Sequence, residues 1–227
     1  MKDTTNIKKI IVFLPNWIGD AVLSLPAIYR IRELFPSAQI AVTGLPHITE
    51  LFKEYPYIDK IIVHPVKNQK ADLLPAANEL RRFKFDLAIL FPNSLRSAII
   101  ARLAGIPLRC GYNRDGRRLV LNIPVNINPE VKKLHQSQYY LNLLNSLDSY
   151  FNLSKALSGK DMTDDILKSF KLDISKDEER KAIEILNRNN IAPDDLLIGI
   201  NPGAAYGSSK RWYPERYGNV ARTLIKQ

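Results

Sequence analysis

The sequence predicts an α/β fold built on a mostly parallel sheet, and three observations predict it. Short, almost wholly apolar runs recur: IIVFL at 10–14, QIAVT at 39–43, KIIVH at 60–64 and LAILF at 87–91. Such runs are the pattern of strands buried on both faces. Each stops at Pro, Asn or Gly and gives way to apolar residues at helical spacing. The connections are short, as in βαβ units whose helices cover the sheet.

The stretch 10–24, IIVFLPNWIGDAVLS, organises the rest. Pro15 and Asn16 stop its strand, because proline has no N–H for a ladder. After Gly19-Asp20, the spacing of Val22, Leu25, Ile28, Ile31 and Leu34 predicts a helix. Asp20 therefore falls outside the carboxyl end of a strand, where open α/β sheets bind ligands. A carboxylate there either caps the helix, whose dipole favours its charged form, or does chemistry. Trp17 beside it either stacks on a ligand or packs underneath, and packing is the default expectation.

Phe35-Pro36-Ser37 breaks the chain before QIAVT, which ends at Gly44. Residues 47–55 are a short helix candidate, and the third strand ends before Pro65. Residues 72–83 make an amphipathic helix with Leu73, Leu74, Ala77 and Leu80 on one side and Pro75 in its first turn. LAILF ends at Pro92-Asn93-Ser94, and Ile99, Ile100 and Leu103 follow at helical spacing. Gly105 closes that helix and Pro107 prevents its resuming. Parallel strands would place Asn93, Ser94 and Arg96 on the same sheet edge as Asp20, with Asn93 or Ser94 available as the cap of the next helix.

Residues 108–122, LRCGYNRDGRRLVLN, read as a turn-rich stretch carrying four arginines, and 134–151 as an aromatic- and leucine-rich helix. Residues 152–175 are polar and aperiodic. A charged helix at 177–190, with Ile183 and Leu186 inward, precedes a strand LLIGI at 196–200, the loop NPGAAYGSSKRW and a helix from Pro214 onward. The expected organisation is one domain over 1–151, a connecting segment over 152–176 and the opening of a second domain over 177–227. One strand cannot bury both its faces, so the sequence is expected to be a piece of a longer protein.

The chain has 227 residues, with 33 Lys and Arg against 23 Asp and Glu, a net charge of +10. That balance points to a polyanionic partner: nucleic acid, an anionic membrane face, a phosphorylated glycolipid or a nucleotide-sugar. Zinc-finger spacings and the aromatic motif of RNA-binding sheets are absent from the sequence, so nucleic acid is not the expected partner. No apolar run is long enough to span a membrane. The lysines ahead of IIVFL superficially suggest a signal peptide, but Pro15-Asn16 cuts the run and a first core strand is the better reading. Cys110 is the single cysteine, which suits a reducing compartment and a small apolar role. His47, His64 and His135 are scattered without metal-ligand spacing, and no metal or cofactor is expected. No GxGxxG follows a strand, so a dinucleotide enzyme has no support.

PNWIGDAVLS (15–24), LFPNSLRSAIIARLAGIPLRCGY (90–112), HQSQYY (135–140) and NPGAAYGSSKRWYPERY (201–217) together, in order and spacing, resemble the ADP-heptose:lipopolysaccharide heptosyltransferases of glycosyltransferase family 9. The pattern looks most like the heptosyltransferase II branch, which adds the second inner-core heptose. The resemblance implies a GT-B fold of two Rossmann-like domains, the first holding acceptor and the second the nucleotide-sugar. This chain would hold the first domain and the truncated start of the second, lacking the later acidic-Gly-Leu-x-His segment. It implies an inverting, metal-independent transfer of heptose from ADP-heptose to heptosyl-Kdo-lipid A. It also implies a cytoplasmic protein touching the inner face of the inner membrane, with the fragment alone inactive.

By that resemblance Asp20 is the base for the acceptor hydroxyl, which an inverting transfer requires. Lys210 matches the lysine that contacts the donor diphosphate, against the bland reading of a solvated loop lysine. Gly203, with Gly207, would let the backbone approach the donor or simply make turns, and Arg211 contacts it or faces solvent. Asn93, Ser94 and Arg96 are expected to meet the acceptor's sugars and acidic groups. Arg114, Arg117 and Arg118 either clamp its carboxylate or phosphate groups or form a solvated basic surface. The alternatives are the first or third core heptosyltransferase of the same family, or a non-catalytic module that binds an anionic glycan or nucleotide.

Overall fold

The computed structural model describes residues 7–63, 73–153, 171–172, 174–192, 194–204 and 210–225. The chain divides into two units, Met1–Ser175 and Lys176–Gln227.

Among the described residues six strands carry the first unit: β1 (Lys9–Phe13), β2 (Gln39–Gly44), β3 (Lys60–Val63), β4 (Leu87–Leu90), β5 (Leu108–Tyr112) and β6 (Ile123–Val125). Its helices are α1 (Ile18–Leu23), α2 (Leu25–Leu34), α3 (Pro46–Thr49), α4 (Leu73–Arg81), α5 (Leu95–Leu103), α6 (Pro129–Lys133) and α7 (Gln136–Phe151). Every ladder is parallel and the order is β3-β2-β1-β4-β5-β6. This is the strand order of a Rossmann sheet, and it reverses between β1 and β4. Lys9 lies opposite Gln39 on one side of β1, and Ile10 opposite Leu87 on the other.

Alternation along the strands divides the core in two. Ile10, Val12, Ile40, Val42, Leu87 and Ile89 pack in one cluster with Leu25, Ile28 and Ile31 of α2 and Leu143, Leu144 and Leu147 of α7. Ile11, Phe13, Ala41, Ala88 and Leu90 pack in the other, with Ala76, Ala77 and Leu80 of α4 and Ala98, Ile100 and Ala101 of α5. Carboxylates close the N-terminal edge of the sheet. Asp86 Oδ2 accepts the N–H groups of Lys8 and Lys9, both at 2.8 Å, and Asp59 Oδ2 accepts Ile40 N–H at 2.6 Å. Arg30 Nη2 reaches the buried Asp148 Oδ2 at 3.4 Å and ties α2 to α7.

The four strands expected from apolar runs are all present, although His64 lies outside the described residues. The helix expected after β1 is instead two helices parted at Ser24. Pro26 sits in the first turn of α2, where its missing N–H costs nothing, and the Ser24 hydroxyl donates to Ala21 O at 2.7 Å. Leu74, expected on the buried side of α4, is exposed. Strand β5 replaces the start of the expected turn-rich stretch, and β6 follows directly after it. In β5 the buried Arg109 is absorbed by main-chain carbonyls, with Nε on Val120 O at 2.8 Å and Nη1 on Ile106 O at 2.5 Å. In β6 Pro124 is tolerated because the strand is at an edge.

In the second unit, helices run over Lys176–Arg188 and Pro214–Ile225. Ile183, expected inward, is exposed. Residues 196–200 form no strand, for no neighbouring strand among the described residues offers them a ladder, and Leu196 is 88% exposed. The connecting segment expected over 152–176 lies mostly outside the described residues.

Ile89 is fully buried in a central strand. Ile89→Ala should lower the unfolding free energy by about 2–5 kcal/mol, read from urea denaturation.

Candidate functional site

The site lies where the sheet order reverses, at the C-terminal ends of β1 and β4. From β1 the chain turns through Pro15 and Asn16 into α1. The N-cap of α1 is Trp17, which gives no side-chain cap bond, so Asp20 sits inside the first turn and is not the cap. It is half-buried, and its charge acts on Tyr140 in the first turns of α7. Burial is the main cause that raises the Tyr140 phenol; Asp20 adds to it, while a hydrogen bond from Gln136 opposes it. Tyr140 is held in place by the Phe91 ring, 4.9 Å away between centroids.

From β4 the chain passes Phe91 and Pro92 into α5. Ser94 is the cap of that helix, its Oγ accepting Ser97 N–H at 3.3 Å. Its capping reading is thus realised. Asn93 instead turns toward α7 and donates from Nδ2 to the Tyr139 hydroxyl at 3.1 Å. Arg96 is half-buried in the first turn of α5.

From β5 the chain makes a tight loop, with Asp115 (φ 51°) and Gly116 (φ 76°) both left-handed. Arg114 is exposed and stands beside the Tyr139 hydroxyl. Burial raises the Tyr139 phenol, and the Asn93 hydrogen bond and Arg114 oppose that rise. Arg118 is exposed, and Leu119 next to it is 90% exposed. Arg117 differs from both neighbours and corrects an expectation. It is fully buried, with Nε on Tyr112 O at 3.0 Å and Nη1 on Pro92 O at 2.5 Å. A guanidinium so committed to the main chain cannot also clamp a ligand. Trp17 is a second correction: it does not pack under Asp20 but is 59% exposed at the rim.

Asp20, Asn93, Arg96 and Arg114 therefore gather on one sheet edge with the tyrosines of α7, while Arg118 lies on the same loop as Arg114. Tyr112 and Tyr139 stack at 4.2 Å, the Tyr112 hydroxyl donates to Tyr139 O at 2.6 Å, and Asn142 Nδ2 donates to the Tyr112 hydroxyl at 3.0 Å. Sequence reasoning missed Tyr112, Tyr139, Tyr140 and Gln136. For the last three the available signal was the HQSQYY run, whose polar tips need partners when buried, while Tyr112 ends LRCGY. His135 is exposed, with Nδ1 2.8 Å from Ser137 Oγ at the start of α7. Among the described residues no group of three or more His, Cys, Asp and Glu gathers as metal ligands would.

In the second unit Lys210 is exposed. Arg211 donates from Nε and Nη2 to Ala204 O at 3.1 and 2.9 Å. Gly203 N–H donates to Asn201 Oδ1 at 3.2 Å in a local turn. Gly207 lies outside the described residues.

Cys110 is buried under the site in β5, and burial pushes its thiol from 9.0 up to about 12. Burial likewise raises Tyr112 and Tyr140. The folded chain keeps these protons where the unfolded chain releases them, so stability falls as pH rises beyond 9.0 toward about 12. Urea midpoints measured across that range should decline steadily, and Cys110→Ala should flatten the first part of the decline.

Comparison with known proteins adds the following. The model of "Glycosyltransferase family 9 (heptosyltransferase)" matches residues 74–227. Lipooligosaccharide heptosyltransferase 2 of Campylobacter jejuni is 30% identical over 213 residues, covering 94% of this chain and 55% of the relative. Lipopolysaccharide heptosyltransferase 2 of Escherichia coli K12 is 25% identical over 222 residues, covering 96% and 61%. The solved structure of E. coli ADP-heptose lps heptosyltransferase II superposes with a TM-score of 0.76 at 26% identity, over 96% of this chain and 61% of that one. A family 9 structure from Veillonella parvula, 22% identical, shares the fold with a TM-score of 0.78 over 96% and 59%. This chain thus spans between 55% and 61% of the length of these curated relatives.

Proposed function

The chain belongs to glycosyltransferase family 9, the heptosyltransferases, and from that membership we propose that it is the acceptor-binding part of an enzyme that adds heptose to the inner core of lipopolysaccharide. The donor is ADP-heptose and the acceptor heptosyl-Kdo-lipid A. The observation that carries this reading is the placement of Asp20 and Asn93 on the two sides of the switch-point crevice, beside Arg96 and Arg114. A carboxylate next to cationic and amide groups suits an acidic sugar that must lose a hydroxyl proton.

Asp20 takes the proton of the acceptor hydroxyl as that oxygen attacks the anomeric carbon. The carbon–oxygen bond to the diphosphate breaks on the opposite face, inverting the centre, and ADP departs with the bonding electrons. Lys210 neutralises the departing diphosphate, and Gly203 and Arg211 shape the loop that receives it. Asn93, Arg96, Arg114 and Arg118 hold the acceptor; Ser94 contributes through the helix it caps. No metal is required, since lysine charge serves the leaving group. The net charge of +10 draws the protein to the anionic cytoplasmic face of the inner membrane, where a lipid-anchored acceptor lies. No helix among the described residues is long and apolar enough to cross it.

The test is ADP release from ADP-heptose and heptosyl-Kdo-lipid A by a polypeptide continued through a complete second domain. Release is expected, and its absence from the folded protein overturns the reading. In the same assay Asp20→Asn should lower turnover by about 10²–10⁴-fold with an unchanged circular-dichroism spectrum. Turnover close to the parent's would remove Asp20 from the base role.

A further inference from the structure

We infer that Arg117 is a positioning residue: it fixes the acceptor edge of the site from below, by joining the main chain after β4 to the end of β5. The inference rests on the acceptor reading above but not on Arg117 touching the acceptor.

Three donors of one fully buried guanidinium reach two carbonyls. Nη1 donates to Pro92 O at 2.5 Å; Nε donates to Tyr112 O at 3.0 Å, and Nη2 donates to the same oxygen. Pro92 immediately precedes Asn93. Tyr112 lies two residues before Arg114, and its own hydroxyl holds Tyr139 O at 2.6 Å. Asn93 in turn meets the Tyr139 hydroxyl at 3.1 Å. The bonds close a ring through Arg117, Pro92, Asn93, Tyr139 and Tyr112, and three separate elements meet in it.

This arrangement is costly for a residue that only fills space. Burial lowers the Arg117 pKa, chiefly through lost solvation; the charges of Tyr139 and Asp115 oppose the fall without reversing it. A guanidinium taken out of water costs free energy that its hydrogen bonds to the carbonyls must offset. A second position is also given over to it. A Cβ on Gly111 would lie 3.1 Å from Arg117 Nη2 and 3.3 Å from Leu90 Cβ. What the planar fork supplies, and a methionine or a lysine does not, is simultaneous reach to two strand ends at set angles. That fixes Asn93 against Tyr139 and Arg114, and hence the spacing of groups that meet the acceptor.

The test uses the whole chain with O-deacylated heptosyl-Kdo-lipid A as probe, its Kd read by calorimetry beside the thermal midpoint. Arg117→Met and Arg117→Lys should each weaken binding by roughly tenfold or more, since neither side chain can bond Pro92 O and Tyr112 O together. Ile40→Ala, a fully buried core change in β2 with β1 standing between it and β4, should lower the midpoint yet leave Kd within about twofold. Folded Arg117→Met with unchanged Kd overturns the inference, as does an equal weakening in Ile40→Ala, which would make stability the whole cause. If neither Arg117 variant folds, Gly111→Ala decides: it crowds the guanidinium without removing it, and weaker binding sustains the inference while unchanged binding overturns it. A parent chain that binds no probe overturns the acceptor reading itself, and the inference falls with it.

Discussion

The parallel pairing of β1 with β4 is the constraint on which the rest depends. Both strands are buried on both faces, so each must be covered above and below. The chain leaving β1 turns to the face that α1 and α2 cover, and the chain leaving β4 turns to the face that α5 covers. Two loops that part toward opposite faces leave a gap between them at the sheet's edge. The crevice follows from how the core is closed and needs no separate device. Asp20 and Asn93 border it because each lies in the chain leaving a strand's C-terminal end, Asn93 between β4 and α5 and Asp20 in the first turn of α1.

Polar groups divide along the same axis. At the N-terminal edge, Asp86 and Asp59 accept main-chain N–H groups at the starts of β1 and β2 and close that edge. At the C-terminal edge the side chains that stay accessible include Asp20, Asn93, Arg114 and Arg118. Two other arginines of the same sequence stretch, Arg109 and Arg117, are turned inward and bound to carbonyls. A row of arginines close in sequence therefore contains two kinds of residue, one set by the main chain it satisfies and the other by the solvent it faces.

The first four strands were legible because a strand buried on both faces leaves an unbroken apolar run, and prolines and glycines mark its end. β5 and β6 were not, since LRCGY and IPV carry an arginine, a glycine and a proline that only tertiary context makes acceptable in strands. The sheet-edge location of Asp20 and Asn93 could be read from the strand–loop–helix pattern, while the base role expected of Asp20 came from the family resemblance. Arg117 could not, because arginine type points to the surface while its location is set by carbonyls from two distant segments. Tyr139 and Tyr140 read as core of a helix, and only the fold brings their hydroxyls to the crevice. Trp17 ran against packing preference for the opposite reason: it caps a short helix at the rim and stays 59% exposed. The strand expected at 196–200 has an apolar run but no neighbour among the described residues, and a ladder needs two strands.

The central claim is that the C-terminal edge between β1, β4 and β5 receives an anionic sugar acceptor. Hydrogen–deuterium exchange of the whole chain, with and without saturating O-deacylated heptosyl-Kdo-lipid A, tests it most directly. Slowed exchange at the amides of residues 16–20, 93–97 and 113–118, with the N-terminal edge of the sheet unchanged, is the predicted result. Saturating acceptor that leaves those three loops as they were, or protects only the opposite edge, would contradict it.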